Sequence, residues 1–219
     1  MMTFFSEEDI LQMPKVKRLN IINSITGIKP ANLISTIDER NRHNLAIFSS
    51  VVHLGSNPAL IGFILRPQQK IRRHTYENIL GNGYYTINHL PNHKTLEGHY
   101  TSAKFDKETS EYDVCHFTPE FQHEFPVPYV KESFLKMGLK HVESIPIKYN
   151  GTVMIVGKIL QVYVAKSSLS EEGYINLEEA KSVGISGLNT YYDLKKIASY
   201  PYARPVSYTH LTLPTSFLV

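Results

Sequence analysis

Apolar and polar positions alternate in short blocks along this chain, and the blocks are of strand length. The densest set lies between Asn32 and Asn78. Leu33 to Ile37 is an apolar run, stopped by the polar turn Asp38-Glu39-Arg40-Asn41-Arg42. Leu45 to Leu54 is a second run, interrupted by Ser49-Ser50 and closed by Gly55-Ser56-Asn57-Pro58, which is dense in turn formers. Ala59 to Leu65 is a third. A basic cluster follows, Lys70, Arg72 and Arg73, and then His74-Thr75 at the start of a short helix to Leu80, ended by Gly81-Asn82-Gly83. The pattern predicts three adjacent strands feeding a helix, and the free N–H groups at that helix start can hold a phosphate.

The rest of the chain is read the same way. Ser6 followed by Glu7-Glu8-Asp9 is a helix start, with a hydroxyl cap and carboxylates in the first turn, and Pro14 ends it. Leu19 to Ile25 is rich in β-formers and predicts a strand, stopping at Gly27-Ile28-Lys29-Pro30. Tyr84 to Leu90 predicts another. Residues 92–113 are polar and predict a short helix, then a loop over a ligand; residues 115–135 are aromatic and proline-rich and predict irregular structure. Val142 to Tyr149 and Thr152 to Val164 flank Asn150-Gly151, a hairpin signal in which both turn residues take positive φ. Glu143, Ile145, Ile147 and Tyr149 alternate with their neighbours as one face of a half-buried strand does. Leu177 to Val183 predicts a short helix, and Thr190 to Pro205 a basic, tyrosine-rich closing segment. No internal repeat or linker divides the chain.

At 219 residues the chain is long enough for one domain with a sizeable core. A net charge of +3 gives little support to a nucleic-acid partner. Cys115 is the one cysteine, so no intrachain disulfide forms, and a reducing, cytoplasmic setting is expected. No apolar run approaches the roughly 20 residues that span a bilayer, and the acidic start MMTFFSEEDI does not read as a signal peptide.

Several residues carry candidate chemistry, each with a plain structural alternative. Hydroxyls inside an apolar strand need partners, because burying one unpaired costs about 1–3 kcal/mol. Ser35, Thr36, Ser49 and Ser50 could face a phosphorylated, partly apolar ligand, or bond to neighbouring backbone. Arg73 offers a forked cation and Thr75 a hydroxyl beside the helix dipole, a set suited to a dianion; the alternative is a solvated basic turn with Thr75 as a simple cap. His89, His93 and His99 are near in sequence, but Pro91 breaks any helix that would align the first two, and surface histidines are expected rather than a metal site. Cys115 has no supporting motif and reads as an inert thiol. Phosphate-loop, Rossmann, zinc-protease and hydrolase-elbow motifs are absent, and no catalytic residue is singled out.

The order of four pieces resembles the flavin reductase-like, FMN-binding split-barrel family. These are L-I-S-T-I-D, the run N-L-A-I-F-S-S, then S-N-P, and a basic residue before H-T-x-x-N-I. The resemblance implies a mainly β fold: a six- to seven-stranded antiparallel split β-barrel flanked by short helices, occupying residues 1–205. It implies FMN as cofactor, with the phosphate at Arg73, Thr75 and Asn78. The ring would lie along Ala46, Phe48, Ser49, Ser50, Val51 and Val52, with Ser35 and Thr36 on the adjacent strand. Ser56 belongs to the S-N-P piece, and Ser102, in the run Ser102-Ala103-x-Phe105, is near the cofactor.

The implied activity is hydride transfer from NADH or NADPH to flavin. The electrons would pass to free flavin, a partner monooxygenase or another acceptor, and a homodimer is expected. Such an enzyme needs no acid–base constellation, because the protein mainly stacks two rings and excludes water. The alternatives are an FMN electron carrier without NAD(P)H activity, a pyridoxal-phosphate-type binder on the same barrel, and a nucleic-acid-binding barrel. The final stretch VSYTHLTLPTSFLV, residues 206–219, breaks the pattern and resembles translated sequencing-adapter text. It is expected to be non-native and dispensable, against the alternative of a native β-rich tail.

Overall fold

The computed structural model describes residues 1–67 and 74–202. Helix α1 (Glu7–Gln12) begins with a capping box: Asp9 N–H donates to Ser6 Oγ at 3.2 Å, and Ser6 N–H donates to the Asp9 carboxylate at 2.8 Å. Pro14 ends this helix and opens the next, α2 (Lys15–Ser24). The segment from Leu19 was expected to be a strand, and it is helical. Its β-branched residues mislead, since Val16, Leu19, Ile22 and Ile25 recur at the three-residue spacing of one helical stripe. All four are exposed.

The strands follow as β1 (Lys29–Pro30), β2 (Asn32–Ile37), β3 (His43–Phe48), β4 (Val52–Ser56) and β5 (Ala59–Leu65), then helix α3 (His74–Asn82) and β6 (Tyr84–His89). Helix α3 stops at Gly83, whose φ of 80° suits glycine and whose N–H bonds Ile79 C=O at 2.8 Å. Beyond β6 lie a 3-10 turn, α4 (Thr95–Tyr100), α5 (Glu111–Val114), and the short pair β7 (Pro119–Glu120) and β8 (Tyr129–Val130). The segment expected to be irregular therefore holds one small ladder. Strands β9 (Leu135–Ile147), β10 (Thr152–Val164), β11 (Val183–Ser186) and β12 (Thr190–Asp193) complete the chain.

Seven strands form one antiparallel sheet in the order β3-β2-β6-β9-β10-β5-β4. The three runs expected to be adjacent are thus divided between its two edges. The second run breaks at Ser49-Ser50 into β3 and β4, which lie at opposite ends of the order. Ser50 rolls the sheet up: its Oγ donates to Ile64 C=O at 3.2 Å and accepts Ile64 N–H at 3.0 Å, bridging the exit of β3 to β5. The result is the split barrel. Ile34, Phe63, Leu65, Ile79, Tyr85, Ile87, Leu139 and Ile155 form the cluster within it. A second cluster lies on the other face of β2, where Leu33 and Leu45 meet Tyr112, Phe117, Val130, Val183 and Ile185. Strand β2 is therefore buried on both faces, and it reads as a continuous apolar run rather than an alternating one.

Three further expectations change. The β9–β10 hairpin forms, but its turn has four residues, 148–151, and only Gly151 has positive φ, at 74°. Asn150 uses its side chain instead, its Oδ1 accepting Thr152 N–H at 3.0 Å and the Thr152 hydroxyl at 2.7 Å. Ile145, Ile147 and Tyr149 are exposed rather than half-buried, because beyond Lys140 strand β9 pairs with β10 alone. The expected helix at Leu177–Val183 is turn structure. Asn176 Oδ1 accepts the N–H groups of Glu178 and Glu179, as a helix cap would, but the next residues are drawn into a sheet, where Val183 C=O accepts Ala31 N–H. Among the described residues no helix is long and apolar enough to cross a membrane.

Candidate functional site

Strand β3 is an edge of the large sheet, and its pairing fixes what it offers. In an antiparallel ladder, successive residues turn their N–H and C=O groups alternately toward and away from the neighbour. Leu45 N–H donates to Glu111 Oε2 at 2.9 Å, so it points away from β2. By the same parity, Ile47 turns its N–H and C=O outward too. Ala46 and Phe48 complete the inward set that pairs with Ile34 and Asn32.

Against this edge lies a cleft of about 510 Å3. Asn44, Ala46, Ile47 and Phe48 of β3, with Ser49 and Ser50, form one wall. The end of β5 supplies Ile64, Leu65 and Arg66, and the first turn of α3 supplies His74 and Thr75. Thr101 to Phe105, the loop after α4, lies across from them, joined by Glu111, by Leu188 of the β11–β12 turn and by Asn23 of α2. The volume suits a drug-sized or cofactor-sized ligand.

Thr75 is buried, and its Oγ1 accepts from Asn44 Nδ2 at 3.1 Å. The hydroxyl is thereby fixed as an acceptor toward Asn44 and keeps its own proton to donate. It sits where α3 presents unpaired N–H groups and the positive end of its dipole. Glu111 is also buried, which pushes its carboxyl above the usual range, while the N–H groups of Leu45 and of Glu111 itself act in the other direction. Tyr191 anchors the covering loop from behind: its hydroxyl lies 3.2 Å from His99 Nδ1 at the end of α4, and burial raises it to about 12.

The structure brings Ala46, Phe48, Ser49, Ser50, Thr75 and Ser102 together in the cleft. It does not bring Ser35, Thr36 or Asn78 there. Asn78 Nδ2 donates to Thr36 Oγ1 at 3.1 Å, both buried, so these two polar groups tie α3 to β2. Ser35 is buried on the opposite face, beside Tyr112. Val51 packs on the barrel interior, and Val52 and Ser56 stand on exposed β4, outside the cleft lining. Arg73, with Lys70 and Arg72, lies outside the described residues. Ser50 follows the backbone-bonding alternative. Its replacement by alanine is expected to cost about 1–2 kcal/mol, since Ile64 loses a donor and an acceptor together. Urea denaturation with an unchanged slope would measure that loss.

Asn44, Ile47, Arg66, Lys104, Glu111 and Leu188 also line the cleft and were not singled out from sequence. Ile47 alone had a usable signal, as the outward-facing member of a run already assigned to the ring. Glu111 closes the polar run Asp106-Lys107-Glu108-Thr109-Ser110-Glu111, where nothing marks it as buried. The three clustered histidines go separate ways: His89 Nδ1 lies 3.0 Å from Ser182 Oγ, His93 lies edge-on to Phe134, and His99 meets Tyr191. Among the described residues no group of His, Cys, Asp or Glu is placed to hold a metal.

The flavin reductase like domain model matches residues 28–182, which take in every strand of the large sheet and most of the cleft. A split-barrel-domain protein from Shewanella frigidimarina, assigned as a flavin reductase, is 44% identical, with a TM-score of 0.88, over 92% of this chain and 100% of that one. Nitrilotriacetate monooxygenase component B from Bacillus cereus shares the fold at 19% identity and a TM-score of 0.80, over 91% of this chain and 99% of that one. Flavoredoxin of Desulfovibrio vulgaris does so at 21% identity and 0.71, over 81% and 92%. Comparison with curated proteins returns no match. On the family match and the 44% relative together, the chain belongs to the flavin reductase-like domain family.

Proposed function

We propose that this flavin-linked oxidoreductase binds FMN in the β3–α3 cleft, takes hydride from NADH or NADPH and passes the electrons to free flavin or to another acceptor. The observation that carries the reading is the pairing of an open strand edge with a helix start on one cleft. An isoalloxazine ring is apolar on its faces and hydrogen-bonding along its edges. The outward N–H and C=O of Ile47 suit such an edge, and Ala46 and Ser49 are small enough for close approach. A phosphate fits the start of α3, where Thr75 can donate, with Arg73 preceding the helix in sequence. Ser102 and Phe105, on the loop opposite, would keep water from the ring. FMN, when bound, supplies the hydride-transfer centre.

A partner monooxygenase is one acceptor class in this proposal, by analogy with the component B protein that shares the fold. A homodimer is part of it too. Val52 and Leu54 on β4 and Val142, Ile145, Ile147 and Tyr149 on the β9–β10 hairpin are exposed, and a second copy would cover such surfaces. A cytoplasmic setting, where Cys115 stays a thiol, completes the reading.

The test is optical. Purified protein reconstituted with FMN should be yellow, and NADH or NADPH added under argon should bleach it. Folded protein that fails to quench FMN fluorescence at about micromolar concentration would overturn the reading. Flavin that binds but is not bleached by either nucleotide would favour the electron carrier.

A further inference from the structure

Glu111 is the acid that the cleft buries. It opens α5, only 6% of it is exposed, and its Oε2 holds Leu45 N–H at the outer edge of β3. The outward N–H of Ile47 lies two residues further along that edge, about 7 Å away at the strand rise. A ring bonded to the Ile47 edge would come to rest beside the Glu111 carboxyl and displace the water that its remaining exposure admits. Loss of that water penalises the charged form of a carboxyl. Resting on the FMN reading above, we propose that Glu111 takes up a proton when an isoalloxazine ring fills the cleft, so that flavin affinity is coupled to pH through this residue.

Among the described residues no cation acts on the Glu111 carboxyl. Tyr112 shares α5 with it and Cys115 caps that helix, and Glu97 of α4 and Glu132 before β9 add negative charge around those two side chains. His43 of β3 sits edge-on to Tyr112, and burial lowers its affinity for a proton. Lys104, in the loop after α4, shares its wall with Glu111, while Arg66 and His74 are on the walls opposite. Among the described residues, what opposes the upward push of burial on Glu111 is N–H groups alone, those of Leu45 and of Glu111 itself.

The sign follows from linkage. The ring raises a carboxyl that burial has already raised, so the protonated protein binds the ring better. Affinity is greatest below the Glu111 value of the free protein, falls as pH rises through it, and levels off above the value of the complex.

Riboflavin is the probe, because it is uncharged and has no group titrating between about pH 5 and 8, so protons taken up must go to the protein. Calorimetry in two buffers of different ionisation enthalpy should show proton uptake by the unmodified protein. Its Kd for riboflavin should rise about three- to tenfold across that range, within the limit of tenfold per pH unit for one proton. In Glu111→Gln the amide oxygen still accepts Leu45 N–H, so the Kd should change less than twofold and the uptake should disappear. Equal pH slopes in the two proteins overturn the inference while leaving the FMN reading intact; failure of the folded parent to bind any flavin overturns both. Infrared difference spectra of the unmodified protein give a second measurement that needs no variant. Riboflavin should remove carboxylate absorption and add a carboxylic-acid C=O band, and the absence of that exchange also overturns the inference.

Discussion

Gly157→Ala is expected to lower stability by about 2–3 kcal/mol, the cost of overpacking a filled core, and the Tm by roughly 5–10 °C. Gly157 lies in β10 at a register shift of the β9–β10 ladder, facing the barrel interior. A methyl there would drive into the Tyr85 hydroxyl and would meet Leu139 Cδ2 at 3.2 Å. Neither can retreat, since Tyr85 and Leu139 are fully buried, and Tyr85 is wedged edge-on against Phe63. The Tyr85 hydroxyl has no hydrogen-bond partner among the described residues, so removing it sacrifices little. Tyr85→Phe should therefore stay within about 1 kcal/mol of the parent. In that background Gly157→Ala should recover half or more of its loss, a coupling that a double-mutant cycle reads directly. Equal losses in the two backgrounds would show that the strain lies in the backbone and not at the hydroxyl. This contact also accounts for a glycine with no turn to make: its φ is not in the left-handed region, and what it supplies is room for a tyrosine.

The strands were legible where one local rule decides them. The runs at Leu33, Leu45, Ala59 and Tyr84 are strands because they are apolar, short and bounded by turn formers. Their neighbours were not legible in the same way. Strand β6 pairs with β9 across some fifty residues of chain, and β5 pairs with β10 across still more, choices made by closing a barrel. Helix α2 was misread for a related reason. Its β-branched residues lower helix propensity only slightly, and Pro14 at its start outweighs them. The Asn150-Gly151 signal gave the hairpin but not the turn, because the Asn150 side chain bonds Thr152 and leaves only the glycine left-handed.

The same division runs through the site. Its β3 wall and the start of α3 lie within one continuous stretch, and both could be found by reading along it. Glu111, Lys104 and Leu188 arrive from segments far along the chain, and no local pattern marks them as cleft residues. Ser35, Thr36 and Asn78 lie outside the cleft lining. A hydroxyl or amide in an apolar run signals only that a partner exists. For Thr36 and Asn78 that partner was each other.

Arg73→Ala is expected to weaken FMN binding about ten- to a hundredfold, since a charge-assisted contact contributes roughly 1.5–3 kcal/mol and each tenfold is about 1.4 kcal/mol. The hypothesis rests on position: Arg73 directly precedes His74, the first residue of α3, and Thr75 one residue later lines the cleft. Riboflavin lacks the phosphate, so its affinity should hardly change in the same variant, whereas a general loss of fold would weaken both ligands. Thr75→Val keeps the shape and removes the hydroxyl. It should repeat the discrimination between FMN and riboflavin with a smaller effect. It should also cost about 1–2 kcal/mol of stability, because the buried Asn44 amide loses the acceptor it holds at 3.1 Å. Salt should weaken FMN binding in the parent more than in Arg73→Ala, since screening acts on the charge pair that the variant lacks. Equal losses for the two flavins in Arg73→Ala, or no loss for either, would remove the phosphate from this end of α3 and turn attention to Lys104, on the loop opposite.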